Sequence, residues 1–197
     1  MTKVGAYAIN RVYTIVFPPE LEVTAGLHGL WLLPAALVSL AIGMVGVLAA
    51  RELNRLVAFS VIGSMGMVMI AIALFTPEGF AAALYYTVHS TLAAATLFLI
   101  VDLVRAGRGN LDLIAAPPVA GAALTAALFF VAAIAMTGLP PLSGFVGKLL
   151  ILDAAFTSPL VVWAWAIILS ASLISVVGFA PAPRTSTFRP RSPCCAM

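Results

Sequence analysis

The chain has 197 residues, of which 63% are hydrophobic and only 9% charged, and its mean hydropathy is +1.15. A soluble domain cannot cover that much apolar surface with so few polar side chains, so the composition points to an integral membrane protein. The net charge of +3 sits on cations placed singly or in pairs beside apolar runs, which excludes a nucleic-acid-binding patch and leaves the lipid bilayer as the expected medium.

A bilayer core about 30 Å thick needs roughly 20 apolar helical residues. The first apolar run, Lys3 to Phe17, gives about 22 Å of helix. It is short for a span and carries Lys3 and Arg11 inside it. It lacks a small-residue cleavage site, so it does not read as a secretory signal. Pro18 and Pro19 stop it.

Leu30–Ala50, Leu56–Phe75 and Phe80–Val104 are the second, third and fourth runs. The fifth begins near Pro118, breaks over Gly138 to Gly144, and resumes through Lys148 to Phe156. The sixth runs from Leu160 to Ala180. The expected fold class is therefore an all-α integral membrane bundle of about six transmembrane helices, the fifth discontinuous at its Gly/Pro break.

Orientation follows from the arginines. Arg51 and Arg55 follow the second run, Arg105 and Arg108 the fourth, and Arg184, Arg189 and Arg191 the sixth. Alternating spans put all three groups on one side, while Glu20, Glu22 and Glu78 lie on the other. The positive-inside rule makes the arginine side cytoplasmic, with the protein multi-pass in the cell membrane.

Residues 1–180 read as one transmembrane domain. Residues 181–197 are rich in Pro, Ser, Thr and Arg, and are expected to form a disordered basic tail. Two accounts fit the tail: attraction to anionic lipid, or a spurious end from a shifted reading frame. Cys194 and Cys195 are adjacent there and match no metal or redox spacing.

Three positions carry candidate chemistry. Lys148 lies deep in apolar sequence, where a charge costs roughly 3 kcal/mol on insertion scales. It follows a break in which Pro140 and Pro141 remove two amide donors while Gly138 and Gly144 relax the backbone. Irregular backbone at membrane depth survives only against protein or a water-filled cavity, and broken helices of this kind mark ion sites in transporters. The competing account is a proline kink with a snorkelling lysine. Asp153 lies about 140° around the helix from Lys148, so the lysine's partner is expected elsewhere.

His89 sits inside the fourth run, one turn after Tyr85 and Tyr86 and beside Ser90, a set suited to proton relay or to interhelical packing. On residues alone Lys3 is the weaker site and reads equally as an interfacial anchor. Asp102 and Arg105 are spaced for a structural ion pair, and Ser60, Gly63, Ser64 and Met67 for close helix packing.

The stretches KVGAYAINR, RELNRLVAFSVIGSMG, ALYYTVHSTLAAATLFL and GLPPLSGFVGKLLIL together resemble the proton-conducting antiporter-like membrane subunits, which include the D-type component of Mrp-type sodium/proton antiporters and relatives in respiratory complex I. The resemblance covers Lys3 to Ala180, and its motifs look closer to the Mrp D-type branch. It implies that Lys3 matches a lysine of the family's eighth helix, His89 the histidine of the eleventh, and Lys148 the lysine of the broken twelfth.

It also implies a membrane subunit of a multisubunit monovalent cation/proton antiporter with a lysine/histidine proton path. Other membrane subunits would be its partners, and protons and sodium its ions. The family's first repeat and final helix have no counterpart here, so the chain is expected to be a C-terminal portion. The alternatives are a proton-translocating subunit of an NADH–quinone oxidoreductase, or an inactive structural fragment. No nucleotide, quinone, iron–sulfur or metal motif is present in the sequence, so neither a cofactor nor an enzymatic activity of the chain's own is expected.

Overall fold

A computed structural model describes residues 2–16, 31–108, 111, 122–157 and 161–180. Within them the chain is helical: α1 (Thr2–Ile15), α2 (Leu33–Ala49), α3 (Leu53–Ala73), α4 (Pro77–Arg108), α5 (Ala122–Thr137), α6 (Ser143–Ala154) and α7 (Val161–Phe179), with a 3-10 turn at Ala155–Thr157 after α6. The expected stop at Pro18–Pro19, the acidic Glu20 and Glu22, Arg184, Arg189 and Arg191, and the tail with Cys194 and Cys195 lie outside the described residues.

Helices α3, α4 and α7 are each long and apolar enough to cross a membrane, and α2 and α5 are shorter apolar helices. The chain is a multi-pass membrane protein. Two helices start earlier than their apolar runs. Helix α3 takes in Asn54 and Arg55, which point outward and cost no burial. Helix α4 starts at Pro77, where a missing N–H is harmless, and the Thr76 hydroxyl caps it by accepting from Gly79 N at 3.0 Å. The ion pair found among the described residues is Arg55 to Glu52 at 3.6 Å. The expected Asp102–Arg105 pair does not form; both side chains stand exposed near the end of α4.

Helix α3 is the hub. Two thirds of its span is buried (67%), against 33% for α4 and 28% for α7, and it packs on α1, α2, α4, α6 and α7. Its close contact with α2 depends on glycine. A Cβ on Gly43 would lie 2.5 Å from the Gly63 backbone nitrogen, and one on Gly66 would lie 2.6 Å from Leu40 N. Small residues let the two backbones touch, which is how membrane helices associate where the hydrophobic effect gives little help.

Gly43→Ala is expected to force α2 from α3 and destabilise the protein by roughly 1–3 kcal/mol, read as a lower melting temperature in detergent. Gly5→Ala, whose added methyl meets nothing within 4 Å, is the control and leaves melting unchanged or slightly raised. Equal melting of the two variants would disprove the glycine contact.

Candidate functional site

The break between α5 and α6 builds the site. In an uninterrupted helix the Thr137 carbonyl would accept from the nitrogen of residue 141, but Pro141 has no N–H. The Ala135 carbonyl would accept from Leu139, but the Leu139 N–H bonds Ile134 O instead, at 3.3 Å, alongside Gly138 N at 3.0 Å. Gly138 makes the turn with φ of +73°, a conformation that penalises any Cβ, and Pro140–Pro141 is a cis peptide. Leu142 N then bonds Leu139 O at 3.2 Å, and α6 starts at Ser143. The Ala135, Met136 and Thr137 carbonyls thus lose the amide donor an unbroken helix would give them, and two of the three meet an ionisable side chain instead.

Two ionisable side chains supply the donors. Lys148, one turn into α6 and only 9% exposed, donates from Nζ to the Thr137 carbonyl and to Ser172 Oγ of α7, the latter at 2.8 Å. His89 of α4, also 9% exposed, has Nε2 3.1 Å from the Ala135 carbonyl and Nδ1 2.9 Å from Ser143 Oγ. A carbonyl only accepts, so Nε2 carries the hydrogen. In the neutral ring Nδ1 then accepts from the Ser143 hydroxyl, and in the charged ring it donates to that oxygen. The two ring states therefore differ at this contact only in the direction of one hydrogen bond, which a rotation of the Ser143 hydroxyl accommodates.

Glycine makes the room. A Cβ on Gly138 would lie 2.8 Å from the Lys148 side chain. One on Gly144 would lie 2.0 Å from the Ala135 carbonyl oxygen and 2.8 Å from His89 Nε2.

Lys3 joins the same row. From α1 its Nζ donates to Ser90 Oγ at 2.6 Å, and Ser90 is the chain neighbour of His89. The Ser90 hydroxyl hydrogen goes to Tyr86 O at 2.6 Å, which leaves its lone pairs for the lysine. The buried Tyr86 ring lies 5.9 Å from the His89 ring and also lines a small cavity beside Lys148. His89 is within electrostatic reach of both lysines. The three sequence-derived candidates are thus brought together, on α1, α4 and α6, around the break. Arg11 stays exposed, donating to the Tyr7 hydroxyl at 2.9 Å over the Tyr7 ring.

Sequence reasoning missed the partners Ser143 and Ser172. The available signal for Ser172 was its i, i+3 spacing with Ser175 in an otherwise apolar span, which sets both hydroxyls on one helix face. Beside Ser143 a groove of about 680 Å³ opens between α4 and α5, where His89 lines the wall with Tyr85, Thr96 and Ser143 among mostly apolar side chains.

Comparison with known proteins extends this picture. The family model described as "NADH:quinone oxidoreductase/Mrp antiporter, TM" matches residues 1–175. The D-type component of the Na(+)/H(+) antiporter of Bacillus subtilis is 34% identical over 180 residues, covering 88% of this chain and 35% of the relative. The D-type component of a probable K(+)/H(+) antiporter of Rhizobium meliloti is 32% identical, covering 81% of this chain and 33% of its own length.

Among solved structures, a chain of the Mrp complex from Dietzia superposes with a TM-score of 0.77 at 25% identity, over 91% of this chain and 33% of that one. A chain of respiratory complex I from Thermus thermophilus superposes with a TM-score of 0.83 at 28% identity, over 96% and 39%. The chain spans about a third of the length of the curated relatives it matches.

The Gly144 clearance gives a direct check. Gly144→Ala pushes a methyl into the Ala135 carbonyl and His89, and is expected to cost roughly 1–3 kcal/mol of stability. A melting curve that matches the wild type would mean that α5 and α6 do not meet His89 in this way.

Proposed function

Because the chain belongs to the NADH:quinone oxidoreductase/Mrp antiporter transmembrane family, we propose that it forms part of a multisubunit monovalent cation/proton antiporter, with Lys3, His89 and Lys148 carrying its protons. The observation that carries this reading is the pairing of the two buried ionisable groups, His89 and Lys148, with carbonyls freed by one helix break. A purely structural lysine has cheaper options at an interface, and a purely structural histidine does not need a free nitrogen facing a rotatable hydroxyl.

In this reading residues 1–180 are the ion-path domain. Protons pass along the row from Lys3 and Ser90 to His89, then past Tyr86 to Lys148, with water bridging the gaps. Each stop can hold or give up a proton: two amines and an imidazole. The lysines are held by neutral oxygens, which solvate an ammonium without trapping it. Sodium is the proposed counter-ion, from the named activity of the Bacillus relative, and the other subunits of the complex are the proposed partners. The arginine-bearing helix ends, with Arg51, Arg55 and Arg105, are taken as cytoplasmic.

A second reading, the proton-translocating membrane component of a redox-driven pump, draws on the closer superposition with the complex I chain. The names of the curated relatives, antiporter components at 32–34% identity, favour the antiporter.

The test is transport by the assembled complex in everted membrane vesicles, read as collapse of a pH gradient on adding sodium. Lys148→Ala is expected to reduce exchange to background with the complex still inserted. His89→Ala is expected to slow it by about a hundredfold or more, the scale of losing one acid–base group. Undiminished exchange in Lys148→Ala would sink the proposal.

A further inference from the structure

Helix α6 has two unlike sides. Gly144, Gly147, Lys148, Ile151 and Ala154 are buried against the bundle, at the i, i+3, i+4, i+7 spacing of one helix face. Val146, Leu149, Leu150 and Asp153 repeat that spacing on the other side, and all four are exposed. Among the described residues no cation pairs with the Asp153 carboxylate.

Depth makes that carboxylate costly. Helix α7 has 19 residues, about 28 Å, and so spans nearly all of a hydrocarbon core about 30 Å thick. Two contacts set α6 beside it: Trp165 Nε1 donates to Leu152 O, and Lys148 Nζ donates to Ser172 Oγ. At about 1.5 Å per residue, these place Asp153 about 6–9 Å inside the Val161 end of α7. Lysine and arginine cover such a distance by snorkelling, but an aspartate side chain is too short for it. Ionisable groups within a membrane span pair with one another or face protein and water.

The neighbouring outward faces differ. Helix α2 exposes Val38, Ile42 and Val45, and α7 exposes Leu169, Leu173 and Val177, with no ionisable side chain anywhere along either helix. Lipid tails cover such faces at no cost. The face of α6 has the same apolar character except for its acid, and a lipid tail offers that acid nothing.

We propose that the outward face of α6 is an interface with another subunit, whose transmembrane helix packs on Val146, Leu149 and Leu150 and sets a lysine or arginine against Asp153. The proposal rests on the reading of the chain as part of a multisubunit complex, and it adds the surface of contact and the charge the partner brings. The pair neutralises both groups where neither meets water. It also fixes the register of the two helices, because a slip of one turn parts the charges.

The test uses the assembled complex purified from membranes. The photo-reactive amino acid p-benzoylphenylalanine replaces Leu149, and the adduct formed on irradiation is mapped by mass spectrometry. The expected product joins α6 to a transmembrane segment of another subunit that holds a lysine or arginine within two turns of the joined residue. The same probe at Leu173 of α7 is expected to give no protein adduct. Asp153→Lys is expected to cut the yield of assembled complex about tenfold or more, and changing the mapped cation of the partner to aspartate is expected to restore it. Asp153 is exposed, so its replacement leaves the packing within the chain intact.

Three results overturn the interface while leaving the complex and its proton row in place: an adduct within the same polypeptide or with lipid alone, an adduct with a segment that lacks a cation, or an undiminished yield of the Asp153→Lys complex. A chain that purifies with no companion subunit sinks the multisubunit reading itself, and the interface with it.

Discussion

A proline pair inside a membrane helix leaves carbonyl oxygens that no neighbouring amide can reach, and hydrocarbon offers them nothing. An orphaned buried acceptor costs about 1–3 kcal/mol in water-soluble proteins, and an isolated charge at the bilayer centre costs roughly as much again on insertion scales. Here two such costs offset each other. The Thr137 carbonyl receives the Lys148 ammonium, and the Ala135 carbonyl receives the His89 ring. Neither half of each pair is tolerable without the other. The break therefore explains the lysine, and the lysine explains how the break survives.

Everything else in the bundle brings these partners within reach. Helix α4 must lie against both α5 and α6 for His89 to bridge Ala135 and Ser143, and the missing side chain of Gly144 permits that approach. Helix α7 must lie close enough to α6 for Ser172 to meet Lys148. Trp165, bonded through Nε1 to Leu152 O at 3.1 Å, ties the same two helices together elsewhere along α7. Helix α3 fixes the frame, because its glycine contact with α2 and its burial on several sides leave it little freedom to shift.

Much of this was legible in the sequence, for a physical reason. Apolar runs must match the bilayer thickness, so length alone located α2, α3, α4 and α7. A charge or a proline pair inside such a run stands out because hydrocarbon penalises both, and this marks Lys148, His89 and the break without any knowledge of the packing. The partners were not legible. Hydroxyls and backbone carbonyls are common and unremarkable in sequence, and Ser172 lies 24 residues from the lysine it holds. The pairing of Lys3 with Ser90, across 87 residues, is likewise a property of the tertiary packing. The expected Asp102–Arg105 pair shows the same limit from the other side: i, i+3 spacing permits a contact but does not require one, and among exposed pairs Arg55–Glu52 forms while Asp102–Arg105 does not.

The character of the groups around Lys148 bears on what it can do. Asp153, the acid nearest in sequence, is exposed and lies around the helix from it. A carboxylate at 4 Å would hold an ammonium by about 4 kcal/mol at an effective dielectric constant of 20, enough to slow proton release by about three decades. A carbonyl and a hydroxyl contribute about 1 kcal/mol each and bond an amine whether or not it is charged. A lysine with a fixed counter-ion is a structural cation. One cradled by Thr137 O and Ser172 Oγ keeps its place through a change of charge, and that is the property a proton carrier needs and a structural ion pair lacks.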